Sequence, residues 1–139
     1  MQNLMPHAER LGLLLKERKE RLVVAESSTG GLISAAMLSV PGASDYFLGG
    51  AVVYTRQSRN LLLGVTGAAM AGLRPATEAY ALLLARTAKE RFGSDWAVAE
   101  TGAAGPTGNR YGDDAGHSCI AIAGPSPRVI TLETGSADR

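Results

Sequence analysis

The stretch Ala25-Glu26-Ser27-Ser28-Thr29-Gly30-Gly31 constrains what this chain can fold into more than any other. A short apolar run, Leu22-Val23-Val24, precedes it and reads as a buried strand, while Leu32-Ile33-Ser34-Ala35-Ala36-Met37-Leu38 follows and reads as a helix. Hydroxyls and glycines therefore meet at a strand-to-helix turn. There Ser and Thr can cap the helix, the glycines let a ligand approach the backbone, and unpaired N–H groups attract an anion or a developing oxyanion. A hydroxyl before a helix is most often only a cap, and the stretch matches none of G-x-x-x-x-G-K-[ST], G-x-G-x-x-G or G-x-S-x-G. What the turn does depends on the rest of the chain.

Upstream, Leu4, Ala8, Leu11 and Leu15 recur at helical spacing opposite Glu9, Arg10, Lys16, Glu17 and Arg18, which predicts an amphipathic helix. The mixed-sign run 16–21 reads as its solvated end. Beyond the second helix, Pro41-Gly42-Ala43-Ser44 breaks the pattern, and Gly49-Gly50-Ala51-Val52-Val53-Tyr54 predicts another strand. A short helix from Arg56 to Leu63 should stop at Gly64. After a connection over 66–75, Thr77 offers an N-cap and Glu78 a favourable charge to a long helix. Its expected buried stripe is Tyr80, Leu84, Ala88 and Phe92, and Gly93 ends it before the strand Trp96-Ala97-Val98-Ala99. The stretch Thr101-Gly102-Ala103-Ala104-Gly105-Pro106-Thr107-Gly108 reads as a loop too Gly-rich for regular structure. A loop directly after a buried strand is where an α/β sheet binds its ligand. Strands over 118–123 and 129–133, joined by Gly124-Pro125-Ser126-Pro127, finish the chain. Five strands alternating partly with helices predict a three-layer α/β/α domain on a mostly parallel mixed sheet, to which the closing pair adds an antiparallel member.

The 139 residues suit a single domain, and 45% hydrophobic with 19% charged is ordinary globular composition. A net charge of +1, from 14 basic and 13 acidic residues, gives no overall field to hold a polyanion. This argues against nucleic acid and for a small ligand. The single Cys119 makes no internal disulfide and no thiolate cage, so a reduced, cytoplasmic setting is expected. The first residues lack the apolar core of a signal peptide and no run approaches the ~20 residues of a membrane span, so no membrane partner is expected. Nothing here calls for a metal or a cofactor. His117, at the start of a strand, reads as structural, and Asp113-Asp114 as solvated loop residues.

Several stretches carry a resemblance to a known family. Ala25 to Gly31 resembles the AESCTGG motif of the CinA C-terminal family, Phe47-Leu48-Gly49-Gly50-Ala51-Val52-Val53-Tyr54 its F-x-G-G-x-V-x-Y strand, and Thr101-Gly102-Ala103-Ala104-Gly105-Pro106 its [ST]-G-I-A-G-P loop. Ala76-Thr77-Glu78 is similar to the family's V-S-E helix start, Ala115-Gly116 to its V-G, and Asp138-Arg139 to the end of its G-D-R. The resemblance covers nearly the whole chain and implies a three-layer α/β/α fold. It also implies a nicotinamide-nucleotide amidohydrolase, which converts nicotinamide mononucleotide to nicotinate mononucleotide and ammonia. The family continues into a terminal helix, so residues 1–139 are read as a single domain lacking that last helix. A nucleotide is the expected small-molecule partner, and a homo-oligomer is compatible with it.

Amide hydrolysis needs a nucleophile, a base for its proton, donors for the oxyanion and an acid for the leaving amine. Ser27 is the expected nucleophile, with Thr101 beside it and the N–H groups of Gly30 and Gly31 as oxyanion donors. The loop 101–108, including Gly102 and Gly105, and Arg139 are expected to hold the ribose phosphate. Glu26, Thr29, Tyr54 and Glu100 complete the expected substrate-binding set. Where the family's Tyr-Ser-Asn-Glu-Ala-Lys stretch places a Lys implicated in activating the serine, this chain reads Tyr54-Thr55-Arg56-Gln57-Ser58-Arg59. A guanidinium with a pKa above ~12 is no base at neutral pH, so Arg59 is expected to bind an anion in the pocket. Hydrolysis should then be weak or absent unless a carboxylate such as Glu100 replaces the base. The alternative is a catalytically impaired nucleotide-binding or regulatory domain of the same fold.

Two geometric expectations follow. Ser27, Thr29, Thr101 and the glycines around them should line one pocket at the carboxyl end of the sheet, since each follows a strand. Glu26-Ser27, Glu100-Thr101 and Glu133-Thr134 each place a carboxylate and then a hydroxyl at a strand end, so alternation should gather the acids on one face. If they converge, crowding should raise at least one carboxyl pKa.

Overall fold

The computed structural model describes residues 1–139. Helix α1 (Met5–Arg18) leads into β1 (Leu22–Glu26) and α2 (Leu32–Leu38); β2 (Phe47–Val52), α3 (Arg56–Leu63) and α4 (Glu78–Phe92) follow, then β3 (Trp96–Ala103), β4 (His117–Ala123) and β5 (Arg128–Glu133). The sheet order is β2-β1-β3-β4-β5. β1 is parallel to β2 and β3, and β4 is antiparallel to β3 and to β5, so four of the five strands run the same way. Helices α1 and α2 cover one face and α3 and α4 the other, the three-layer mixed sheet expected from the alternation of elements.

Small side chains set the spacing of these layers. Val23 and Ala25 of β1, Ala97 and Ala99 of β3, and Cys119 and Ala121 of β4 are buried against Tyr80, Ala81, Leu84, Ala85 and Ala88 of α4. Alanines on both surfaces let the helix lie close to the sheet. On the opposite face Leu22 and Val24 pack with Ala8, Leu15, Met37 and Tyr46. Tyr46 runs under α1 at Gly12, where a Cβ would stand 3.1 Å from its ring, and its hydroxyl donates to the Met37 carbonyl at 2.6 Å. The long helix starts on the Thr77 cap and ends at Gly93, with φ of 63°, while α3 ends at Gly64 with φ of 69°. No helix is long and apolar enough to cross a membrane.

Three elements differ from expectation. β3 continues through Thr101, Gly102 and Ala103, which pair with Cys119, Ser118 and His117. The ladder supplied by β4 overrides the weak strand propensity of glycine, and a side chain at Gly102 would collide with the His117 backbone. β2 ends at Val52, leaving Val53 and Tyr54 beyond the sheet. Phe92 is 41% exposed because the last turn of α4 passes over Gly49, which has no side chain to cover the ring.

Candidate functional site

Glu26, the last residue of β1, points under the turn and is fully buried. Its Oε1 accepts from the Ser34 N–H at 3.0 Å and the Ser34 hydroxyl at 2.7 Å; its Oε2 accepts from the Ile33 N–H at 3.1 Å and the Thr29 hydroxyl at 2.7 Å. α2 has no hydroxyl cap, so this carboxylate caps it from the strand. Burial pushes the Glu26 pKa up, but the donors from Ser34, Thr29 and Ile33 outweigh it and hold the carboxyl below its usual range. Glu100 of β3 lies beside it, also buried. Its Oε2 accepts from the Ser27 and Thr29 N–H groups, each at 3.0 Å, and lies 2.9 Å from the Thr29 hydroxyl. Its Oε1 accepts from the Ser28 hydroxyl.

Two of the three acids thus converge on the α1/α2 side of the sheet, bridged by Thr29. The expected rise in pKa does not follow at Glu26, because backbone and hydroxyl donors dominate over crowding. Glu133 stands apart: β5 pairs only with β4, and its carboxylate meets His117 Nδ1 at 2.5 Å. Glu26, Glu100 and Thr29 hold the turn together and line no part of the pocket. The Gly30 N–H donates to the Ser27 carbonyl at 3.1 Å, and neither Gly30 nor Gly31 borders the pocket.

The pocket opens on the other side of the strand ends, with a volume of about 680 Å³. Ser27, Tyr54, Thr101 and Gly102 line it together with Arg56, Arg59, Arg74 and Arg110, and no carboxylate does. The Thr101 hydroxyl accepts from the Ala76 N–H at 3.1 Å, which leaves its own proton to donate. Arg59 is only 7% exposed. A box of Thr55 and Ser58 side chains starts α3 and turns Arg59 inward, where its guanidinium lies 5.5 Å from the Tyr80 ring centroid and Nη1 is 3.5 Å from the Tyr80 hydroxyl. Its Nε is buried without a partner. Arg74 holds Asp113 through two bonds of 2.7 and 3.2 Å, and Asn109 adds one of 2.8 Å. Asp113 is therefore no solvated loop residue, and Arg74 is the main reason that its pKa falls to about 2.

A smaller chamber of about 260 Å³ adjoins, lined by Ser28, Gly105 and Arg139 and sharing Tyr54, Gly102 and Asn109 with the larger one. Arg139 donates to the Gly105 carbonyl at 3.2 Å and to the Tyr54 hydroxyl at 3.3 Å. Sequence reasoning missed Arg56, Arg74, Asn109, Arg110 and Tyr111 as pocket residues. For Arg110 and Tyr111 a signal was present, a cation and an aromatic set between Gly108 and Gly112 in a segment between strands.

Fold and cleft define an open α/β/α domain with a cavity of small-molecule size at the carboxyl ends of its parallel strands. The chain belongs to the CinA C-terminal domain family, which it matches over residues 4–139. A CinA-like protein of Synechocystis is 42% identical over 129 residues, 93% of this chain and 31% of that protein. Another from Prochlorococcus marinus is 39% identical over 112 residues, 81% of this chain and 26% of that protein. The chain spans less than a third of the length of these curated relatives. Among solved structures, a CinA superfamily protein from Escherichia coli superposes with a TM-score of 0.89 at 26% identity, over 97% of this chain and 78% of that one. A competence/damage inducible protein from Agrobacterium tumefaciens gives 0.82 at 29% identity, over 94% of this chain and 79% of that one.

Proposed function

We propose that this domain is a nicotinamide-nucleotide amidohydrolase of low turnover, with Ser27 as nucleophile. The observation that carries the reading is one cavity bordered by Ser27, Thr101 and the buried Arg59, whose Nε has no partner. In the reaction the Ser27 oxygen bonds to the carboxamide carbon as the C–N bond breaks, and the hydroxyl proton leaves with the nitrogen as ammonia. Water then adds to the acyl carbon as the ester C–O bond to Ser27 breaks; one of its protons returns to the Ser27 oxygen, the other passes to the released ammonia, and the carboxylate product leaves. Thr101 is suited to donate to the developing oxyanion, and Arg139 with the Gly102–Gly105 chamber to hold the phosphate.

What the pocket lacks is a base. Glu100 bonds the Ser27 backbone and the Ser28 hydroxyl rather than the Ser27 hydroxyl, and Arg59 cannot accept a proton. This favours a second reading, a nucleotide-binding domain without turnover. Ammonia release from nicotinamide mononucleotide separates the two. We expect turnover well below ~1 s⁻¹, abolished in Ser27→Ala and raised about a hundredfold in Arg59→Lys, the scale of a positioned general base. Binding with no detectable ammonia from either the unmodified protein or Arg59→Lys would establish the second reading. Turnover that survives Ser27→Ala would remove Ser27 from the chemistry.

A further inference from the structure

We infer that the Arg59 end of the large pocket is a carboxylate seat, so that the domain binds the acid form of a pyridine nucleotide more tightly than the carboxamide form. The inference rests on the nucleotide reading above and names which member of that class the pocket retains. Arg59 is more than nine-tenths buried, yet its Nε–H meets no acceptor, and the one hydrogen bond of its side chain runs from Nη1 to the Tyr80 hydroxyl at 3.5 Å. The Nε–Nη edge of a guanidinium is a planar fork of two donors, matched by the two coplanar oxygens of a carboxylate.

No carboxylate of the protein fills that fork. Glu26 and Glu100 lie behind the turn with their oxygens engaged, and Asp113 is held by Arg74. A carboxamide offers one acceptor oxygen and an NH₂ group, so facing the fork it sets donor against donor at one of the two positions. The pocket therefore discriminates by the chemistry of a single atom. Ser27 lines the same chamber as Arg59, which places the pyridine substituent rather than the phosphate at this end. The phosphate has its own cation, Arg139, in the adjoining chamber across Tyr54. A ligand with an anion at each end satisfies both arginines.

Calorimetric titration with nicotinate mononucleotide and with nicotinamide mononucleotide tests this on the unmodified protein, Arg59→Gln and Arg139→Gln. The acid should bind at least tenfold tighter than the amide. Arg59→Gln should weaken the acid at least tenfold and change the amide less than threefold, whereas Arg139→Gln should weaken both alike. Equal affinities in the unmodified protein, or an equal loss of both ligands in Arg59→Gln, would overturn the carboxylate seat while leaving the nucleotide reading intact. No binding of either nucleotide would overturn both. Should Arg59→Gln fail to fold, Arg59→Met removes the fork and keeps much of the side-chain volume, and an undiminished preference for the acid in that variant would equally refute the inference.

Discussion

The two faces of the sheet's carboxyl end treat buried charge in opposite ways. On the α1/α2 face, Glu26 and Glu100 each accept three hydrogen bonds of their own and share the Thr29 hydroxyl as a common donor, and neither lines the two chambers described above. On the α3/α4 face, Arg59 is buried to a similar degree but keeps a donor unpaired and borders the cavity of about 680 Å³. A charge that serves the fold is saturated, because each missing bond inside a protein costs on the order of 1–3 kcal/mol. A charge left unsaturated lowers stability and gains affinity when an anion arrives. The saturated carboxylates and the unsaturated arginine thus lie on opposite faces of the sheet, and on the proposed reading so do the structural and the binding roles.

Removing Glu26 should break the saturated side. Glu26→Ala strands the Ile33 and Ser34 N–H groups and the Ser34 hydroxyl beneath the sheet, with a cavity beside them. The expected loss is on the order of 4 kcal/mol in urea unfolding. A loss under about 1 kcal/mol would mean that water replaces the carboxylate at little cost, and the contrast between the faces would dissolve.

Arg59→Met should do the reverse. It removes the unpaired donor, keeps much of the side-chain volume against Tyr80, and should leave stability unchanged or raise it by up to about 1 kcal/mol. The melting temperature without ligand is the measurement. A drop corresponding to more than about 2 kcal/mol would mark Arg59 as a structural charge like Glu26, held by the Tyr80 ring rather than kept for a ligand.

How far this contrast was legible in the sequence depends on what each residue's partners are. The stops at Gly64 and Gly93 were readable because a left-handed residue after a helix is a local requirement that glycine meets. That the turn after β1 borders a cavity was readable for Ser27, since strand, hydroxyls and helix follow one another directly. The role of Glu26 was not: the N–H groups it caps lie seven and eight residues downstream, beyond any N-cap pattern, so it was expected among the binding residues. Thr101 to Ala103 were expected in a loop because their strand character comes from β4, which lies well over a dozen residues away. Arg74 and Tyr111 reach the pocket from segments with no hydrophobic period, brought there by the Arg74–Asp113 pair and not by local propensity. Arg59 was legible only because the resemblance marked its position.

His117 lies between the two extremes, a buried group that is satisfied only while it carries a proton. Its Nδ1 faces Glu133 at 2.5 Å and its Nε2 faces the Ala76 carbonyl at 2.8 Å; Asp113 Oδ1 stands 3.9 Å from Nε2 and the Cys119 sulfur 3.6 Å. Glu78, from α4, reaches the same cluster through Thr131. Only the imidazolium can donate from both nitrogens at once. Burial lowers the His117 pKa, but Glu133, the Ala76 carbonyl and Asp113 outweigh it, and the net shift is upward from 6.5. A folded pKa above the unfolded one means that the contribution is complete below about pH 6.5 and is lost as pH rises through the folded value. Asp113 acts in the opposite sense and far from this window, losing its contribution only as pH falls from 3.8 towards about 2. Unfolding free energy should therefore decline as pH rises above about 6.5, and His117→Gln should flatten that slope. Because Ala76 also donates to Thr101, the same titration should loosen the pocket wall, and nucleotide affinity should fall with pH in the unmodified protein but not in His117→Gln. A pH profile identical in the two proteins would show that His117 is held as the neutral imidazole, with one of its two contacts made without a proton.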